Sequence, residues 1–247
     1  MTKIVFKVFI SLIFLCCFAH GSEFSKSFFS IKDIKQRKEE FIKVITPLIE
    51  KANEDIAKER KTIDLFFQKV ESKGIKSVKA REKLAVEIIA KKYRIDSINK
   101  KELFKERVAP IPVSLAIAQA AVESGWGTSR FAKVANNIYG QWVWSDDDSV
   151  GIIPKQRQEG KKYRIRVFKT IQESVNSYML NLNRHGAYKD FRTLRLEKGG
   201  SFNGIEAAET MTGYSGIGHE YVVLLKKVIN SNKLLRFDSS YKNLSKQ

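Results

Sequence analysis

The chain has 247 residues, of which 43% are hydrophobic and 29% are charged, and its formal net charge is +18. This length accommodates one large domain, or a catalytic domain with an accessory region, around a substantial core. Collagen-like, solenoid and low-complexity classes are excluded because the sequence shows no such repeat or bias. The positive charge favours polyanionic partners, which include nucleic acid, anionic lipid and anionic cell-wall polymers.

Residues 1–21 have the pattern of a secretory signal peptide. Lys3 and Lys7 give a short basic start, an almost entirely apolar run follows (VFISLIFLCCFA), and small residues then allow cleavage after Gly21 or after Ala19. The run is short for a membrane span, and an uncleaved N-terminal anchor is the alternative. We therefore expect an exported protein, located in the periplasm because no wall-binding repeats are evident.

Metal and thiol chemistry are not expected. Both cysteines, Cys16 and Cys17, lie in the predicted signal peptide, so the mature chain would have no disulfide, thiol nucleophile or zinc-thiolate site. The three histidines, His20, His185 and His219, are scattered, which argues against a multi-histidine metal site. We predict that the protein uses no cofactor.

Residues 22–100 are predicted to form a charged helical region. After a leader without clear periodicity, Ile31–Ser72 carries apolar residues at helical spacing, and Ala80–Tyr93 is typical of a second amphipathic helix. Pro47 is expected to kink or divide the first run. We favour a helical hairpin packed on a catalytic domain over a free coiled coil, because the heptad pattern is not strict.

A catalytic domain is predicted over residues 101–235. Pro112 suits the first turn of a new helix, and Val113–Ser124 is apolar on nearly all sides. That segment is therefore expected to be a central, buried helix that ends at Gly125. Thr128 is expected to cap the short helix that follows.

The chain then changes from helical to β-like character. Asn136–Trp144 and Lys162–Phe168 are β-like, and a turn-rich stretch lies between them. We predict a small, irregular antiparallel sheet, followed by helices at about residues 170–185, 188–198, 204–211 and 217–230. The predicted fold class is α+β and mostly α, with residues 236–247 as a C-terminal tail.

Glu123 is the first candidate for catalysis. It lies near the end of the most apolar helix, where burial and the negative end of the helix dipole would both raise its pKa. A carboxylic acid that stays protonated near neutral pH is what a glycosidase needs to protonate a leaving oxygen. Gln119 lies on the same helix face, and Trp126 could desolvate the site or stack on a sugar. The alternative for Glu123 is an ordinary solvent-exposed residue at a helix end.

The segment that contains Glu123 also resembles a known family. The motif AQAAVESGWGTSRFA is long and specific, and the similarity continues through GIIPKQRQEGKKYRIRVF, SVNSYMLNLNRHGAYKDFR and the upstream PLIEKANEDIAKER. Together these segments resemble the bacterial endo-β-N-acetylglucosaminidases of glycoside hydrolase family 73, in particular the Bax-type branch. The resemblance implies a lysozyme-like α+β fold with a small β-hairpin lobe and cleavage of peptidoglycan that contains N-acetylglucosamine. It also places the family's catalytic glutamate at Glu123.

A second catalytic group is needed to handle the water or the positive charge of the transition state. Glu159 is the first choice, because related enzymes carry a carboxylate of the β-lobe at that place. An ordinary turn residue is the alternative. The run Asp146, Asp147 and Asp148 supplies rivals, but a run of three acids is typical of a solvated turn and lacks the spacing of a calcium loop.

Several aromatic and amide residues are candidates for substrate binding. The resemblance places a substrate-contacting tyrosine at Tyr214, which we group with the catalytic residues, and matches Asn137 and Tyr139 to an element that lines the cleft. Trp142 and the tryptophan two residues later share a strand face and could stack on sugars or pack in the core. Tyr221 is interpreted as a core residue. The predicted substrate-binding set is Gln119, Trp126, Asn137, Tyr139 and Trp142.

The sequence therefore predicts a hydrolase that cuts the glycan backbone of peptidoglycan at N-acetylglucosamine. Muramidase or lytic transglycosylase activity is the alternative within the same class. A non-catalytic cell-wall-binding protein is a third possibility, although such proteins often lose the glutamate that this chain keeps. Nucleic acid is not expected as a partner, since no recognition motif is present. We expect a monomer that meets the membrane only through its signal segment.

Overall fold

The computed structural model describes residues 24–241, apart from residues 146, 148–149, 155–156, 158–159, 200–201 and 240. This part of the chain is mainly helical and has one small sheet, so the predicted mostly α, α+β fold class is confirmed. The helices are α1 Ile34–Lys73, α2 Ala80–Lys92, α3 Lys101–Arg107, α4 Val113–Ser124, α5 Arg130–Ala135, α6 Ile171–Arg184, α7 Lys189–Lys198, α8 Gly204–Glu209 and α9 His219–Ser231. The strands are β1 Trp142–Trp144, β2 Gly151–Ile152 and β3 Tyr163–Arg166.

The first helix is continuous through its proline. Asp33 caps α1 by accepting a hydrogen bond from the backbone N–H of Gln36 at 2.6 Å, and the helix runs for 40 residues to Gly74. Pro47 lies on the exposed side of α1, so the backbone hydrogen bond that it removes faces water rather than the core. The expectation that Pro47 divides the run is therefore wrong.

Instead, α1 pairs with α2, which follows a short 3₁₀ turn. Lys69 of α1 lies 2.7 Å from Glu82 near the start of α2, and Glu59 of α1 lies 2.7 Å from Lys92 at its end. These two ion pairs show that the helices run antiparallel. The hairpin is thus formed at Gly74 and not at Pro47.

One hydrophobic core joins the N-terminal region to the rest of the described chain. The central helix α4 has the predicted bounds, is buried on nearly all sides, and contacts α1, α8, α9 and the 3₁₀ segment Leu234–Phe237. Helix α1 also packs along α6. Within the described residues, no helix is both long and apolar enough to cross a membrane. The short helix α5 is capped by Ser129, whose hydroxyl accepts from the N–H of Ala132, and not by Thr128 as predicted.

The predicted small antiparallel sheet is confirmed, with strand order β1–β3–β2. Trp142 pairs with Ile165, and Ile152 pairs with the same residue from the other side. The buried Asn137 fixes this lobe to the helices: its amide nitrogen donates to the carbonyls of Gln141 and Arg166, and its oxygen accepts from the N–H of Gln141. The backbone N–H of Asn137 also donates to the carbonyl of Phe131 in α5 at 3.2 Å, which joins the lobe to the helices.

The end of the described chain is not a free tail. Asp238 is 2% exposed and accepts hydrogen bonds from the N–H and hydroxyl of Ser114 and from the N–H of Gly204. Its carboxylate thus satisfies backbone donors at the first turns of α4 and α8. Tyr241 is also buried.

Replacement of Asp238 by asparagine is expected to lower the free energy of unfolding by about 2 kcal/mol, because an amide group leaves one of these buried donors without an acceptor. Urea denaturation of the two proteins measures the difference. A change below about 0.5 kcal/mol, the usual effect of a surface substitution, would contradict this role for Asp238.

Candidate active site

Glu123 lies in the last turn of α4, at a sharp change of chain direction. Gly125, Trp126 and Gly127 have consecutive positive φ angles of 56°, 57° and 76°, which end the helix at once. One carboxylate oxygen of Glu123, Oε2, faces Gly140: a Cβ built on that glycine would lie 3.5 Å from it. Glu123 is partly buried, so its carboxyl group meets both the core and the space beside the β-lobe.

The other oxygen of Glu123 is held by a chain of buried polar groups. The hydroxyl of Tyr221 donates to Oε1 of Glu123 at 2.6 Å, and the amide nitrogen of Gln119 lies 3.3 Å from that hydroxyl, to which it donates. The amide oxygen of Gln119 in turn accepts from the hydroxyl of Tyr178 at 2.6 Å. Each donor in this chain points toward Glu123. Because the side chain of Gln119 is fully buried, it acts here by orienting Tyr221.

Burial raises the pKa of Glu123, and the hydrogen bond from Tyr221 opposes this shift. Since Tyr221 donates to Oε1, an acidic proton on this carboxyl group is placed on Oε2, the oxygen that faces Gly140. A raised pKa keeps a fraction of the carboxyl group protonated closer to neutral pH than an exposed glutamate would allow. The group is therefore suited to act as a general acid.

Three tyrosines lie near this carboxyl group. The rings of Tyr214 and Tyr221 are parallel with centroids 5.5 Å apart, and Tyr188 lies 6.0 Å from Tyr214. The hydroxyl of Tyr214 donates to the backbone carbonyl of Tyr139 at 3.4 Å. Burial raises the pKa of Tyr188, Tyr214 and Tyr221, with a further contribution from Glu123, so all three remain neutral hydrogen-bond donors.

The structure brings together only part of the predicted set. Tyr214 and the backbone of Tyr139 lie beside Glu123. Gln119 is linked to Glu123 through the hydroxyl of Tyr221. Trp126 instead packs edge-on against Phe41 of α1 with centroids 5.6 Å apart. Lys38 lies 5.0 Å above the same ring. Trp126 therefore ties the end of α4 to α1.

Two further candidates have structural contacts of their own. The amide group of Asn137 forms hydrogen bonds with the backbone of the β-lobe. The buried ring of Tyr139 stacks on Tyr178 with centroids 3.8 Å apart. Contact of these side chains with substrate stays a prediction. Glu159, Asp146 and Asp148 lie outside the described residues.

Trp142 and Trp144 form an exposed aromatic face on the β-lobe. They are 51% and 72% exposed, and Trp142 stacks on Tyr163 with centroids 4.6 Å apart. Large aromatic rings left open to solvent on a fixed lobe suit the apolar faces of sugars. The choice between core and surface that the sequence left open is thus decided in favour of the surface.

Replacement of Trp142 by alanine is expected to raise KM for a glycan substrate about tenfold, a loss of about 1.4 kcal/mol, with little change in kcat. Steady-state kinetics measures both constants. Leu196→Ala, which removes an exposed apolar side chain from α7, serves as the control. An unchanged KM would exclude this face from substrate binding.

The sequence pattern predicted Tyr221 to be a core residue and not part of the site. Its partner Glu123 is 98 residues away in the chain, and the apolar spacing of α9 is equally typical of a core tyrosine. In the structure Tyr221 is a core residue, 2% exposed, and its hydroxyl also holds the carboxyl group of Glu123. The described residues contain no group of three or more His, Cys, Asp or Glu side chains placed to hold a metal ion.

A mostly α fold that presents one partly buried glutamate of raised pKa beside a small β-lobe defines a glycoside hydrolase-like protein. Residues 104–234 match the family model described as mannosyl-glycoprotein endo-beta-N-acetylglucosaminidase, which covers more than half of the chain. The chain is also 30% identical over 207 residues to Protein bax of Escherichia coli (strain K12), covering 81% of this chain and 71% of that protein. The chain therefore belongs to the glucosaminidase family, as a Bax-type member. No solved structure matches it.

Proposed function

We propose that this chain hydrolyses the glycan backbone of peptidoglycan at N-acetylglucosamine, with Glu123 as the general acid. The observation that carries the proposal is the state of Glu123: its pKa is raised by burial, its Oε1 is fixed by Tyr221, and its Oε2 is left to face the β-lobe. In this reaction Oε2 gives its proton to the glycosidic oxygen as the C–O bond breaks. The description of the matched family supports cleavage of a glycan at N-acetylglucosamine.

A second group must then stabilise the sugar cation or activate water. No carboxylate among the described residues contributes to the pKa of Glu123. We propose Glu159 for this role, with the N-acetyl group of the substrate as the alternative. If Glu159 is required, Glu159→Gln loses activity as Glu123→Gln does; if the substrate supplies the group, Glu159→Gln keeps most of it.

The products of the reaction test the proposal directly. Purified peptidoglycan is incubated with the protein that begins after Gly21 and, in parallel, with Glu123→Gln, and the reduced products are identified by mass spectrometry. Reducing-end N-acetylglucosamine, present only with the unsubstituted protein, is the expected result. Reducing-end muramic acid would indicate a muramidase, and 1,6-anhydro muramic ends would indicate a lytic transglycosylase. No product at all would support a non-catalytic wall-binding protein.

We also propose that the protein is exported to the periplasm, where its peptidoglycan substrate lies. The basic and then apolar pattern of residues 1–21 supports export. Cell fractionation with antibody detection, combined with N-terminal sequencing of the exported form, tests both the location and the cleavage site.

A further inference from the structure

A small cavity lies between the helices α1, α3 and α7. Its volume is about 160 Å³, and four basic residues line it: Arg60 and Lys61 of α1, Lys105 of α3 and Arg195 of α7. Among the described residues, its wall shares no member with the hydrogen-bonded group that holds Glu123. The cavity is therefore a second feature of the molecule, which the proposed reaction does not use.

Arg195 is a buried positive charge without a carboxylate partner among the described residues. It is 4% exposed, and its Nη atoms donate at 2.7 to 3.1 Å to the backbone carbonyls of Glu106, Ala109 and Pro110 and to the side-chain oxygen of Asn183. All four acceptors are uncharged. The Nε of Arg195 is buried and has no hydrogen-bond partner. Burial lowers the pKa of Arg195 to about 10, so the group still carries its charge at neutral pH.

A buried charge of this kind is costly unless an opposite charge lies nearby. Asp64 is the only acidic residue among the described residues of the cavity wall, and both of its carboxylate oxygens already accept from Nε of Arg60 at 3.0 Å. The wall thus carries four positive charges and one negative charge. The protein itself leaves this excess of positive charge unbalanced.

Two lysines extend the positive charge to the surface. Lys61 is exposed and has no ion-pair partner in the part of the chain that the structure describes. Lys105 lies 2.8 Å from Glu102, whose side chain is 80% exposed, and such surface pairs hold a lysine only weakly. The cavity wall therefore extends from solvent, at the two lysines, to the buried guanidinium group of Arg195.

The size and charge of the cavity limit what it can bind. Pockets for drug-sized ligands begin at about 300 Å³, so this cavity is too small for a disaccharide. It has room for about five water molecules, which is enough for one small oxyanion. A phosphate group carries close to two negative charges at neutral pH, and its oxygens accept hydrogen bonds from guanidinium and ammonium groups. It would balance more of the excess charge than a single carboxylate.

We propose that Arg60, Lys61, Lys105 and Arg195 bind a phosphate group. The ligand is either inorganic phosphate or a larger phosphomonoester whose remaining part lies outside the cavity. The bound group would join the N-terminal helix α1 to α3 and α7, because basic side chains of all three helices would contact the same anion. This site does not rest on the proposed hydrolase function.

Isothermal titration with inorganic phosphate, at an ionic strength kept constant with sodium chloride, tests the proposal on the protein that begins after Gly21. We expect saturable binding of one phosphate per chain. Lys61→Gln and Lys105→Gln are each expected to weaken this binding about tenfold, as for the loss of one charge-assisted hydrogen bond. Arg195→Gln is expected to abolish it. The two lysine variants keep the test valid if the substitution of the buried Arg195 prevents folding.

A matched control removes one positive charge from α1 outside the cavity. Lys73 is exposed in the last turn of this helix, and Lys73→Gln is expected to leave the affinity for phosphate unchanged. Titration with glycerol 3-phosphate then distinguishes the two sources of the phosphate group. Binding as tight as that of inorganic phosphate supports a phosphomonoester ligand, whereas binding of inorganic phosphate alone supports the free anion.

Three results would overturn the site. The first is the absence of saturable binding at millimolar phosphate. The second is equal affinity in Lys61→Gln, Lys105→Gln and Lys73→Gln, which would indicate a general attraction of anions to the net charge of +18. The third is binding of acetate as tightly as phosphate, which would replace the phosphate group by a carboxylate.

Discussion

Replacement of Glu123 by glutamine is expected to lower kcat on peptidoglycan about 10³-fold, with little effect on KM. Glutamine keeps the shape of the side chain and can still accept the hydrogen bond from Tyr221, but it has no proton to give to the glycosidic oxygen. Turnover is measured as release of reducing ends. Glu39→Gln, which alters an exposed glutamate of α1, controls for the substitution itself. Activity within about tenfold of the unsubstituted protein would exclude Glu123 as the general acid.

The same variant is expected to be more stable than the unsubstituted protein at neutral pH. Burial raises the folded-state pKa of Glu123 above its ordinary value of 4.5, so the folded state binds this proton more tightly than the unfolded state does. The resulting stability is fully present below the unfolded pKa and is lost as the pH rises through the folded pKa. Glutamine does not ionise, so the variant avoids this loss.

Thermal denaturation at two pH values measures this effect. We expect Glu123→Gln to raise the Tm by about 2 °C at pH 7 and to change it little at pH 4. A loss of activity together with a gain of stability in this one variant would show that the site gives up stability for function. A lower Tm at pH 7 would contradict the raised pKa.

Replacement of Tyr221 by phenylalanine is expected to lower kcat about 100-fold, because Oε1 of Glu123 loses the donor that orients the carboxyl group. The pH dependence should also change in a defined direction. The hydrogen bond from Tyr221 lowers the pKa of Glu123, so its removal raises that pKa further. The alkaline limb of the kcat/KM profile is therefore expected to move to higher pH, since the acid stays protonated over a wider range.

Tyr178→Phe is the matched control for this prediction. It removes a buried hydroxyl from the same chain of hydrogen bonds but leaves the contact between Tyr221 and Glu123 in place. We expect a similar loss of stability in the two variants, about 1 kcal/mol, and a much smaller loss of kcat in Tyr178→Phe. Equal kcat losses, or an alkaline limb that does not move in Tyr221→Phe, would show that Tyr221 acts only in packing.

The sequence was sufficient to predict those helices and strands whose formation depends on residues close to each other in the chain. Val113–Ser124 is apolar on nearly all sides and is followed by a glycine, and so both the bounds of α4 and the position of Glu123 in its last turn could be predicted. Alternation in the strand around Ile165 likewise predicted the antiparallel sheet. These features depend on side-chain periodicity and helix caps, which neighbouring residues specify.

Features that depend on distant segments required the tertiary structure. Pro47 was expected to kink or divide a helix, but whether its missing hydrogen bond matters depends on which side of α1 faces the core. Asp238 was assigned to a tail, and only the packing of that segment against Ser114 shows that it caps two helices.

The candidate site divides in the same way. The sequence by itself determined that Glu123 is an acid at the end of a buried helix. The packing of α4, α6 and α9 decided that Gln119 and Tyr221 hold this acid, because hydrogen bonds form where folding brings groups together, whatever their separation along the chain.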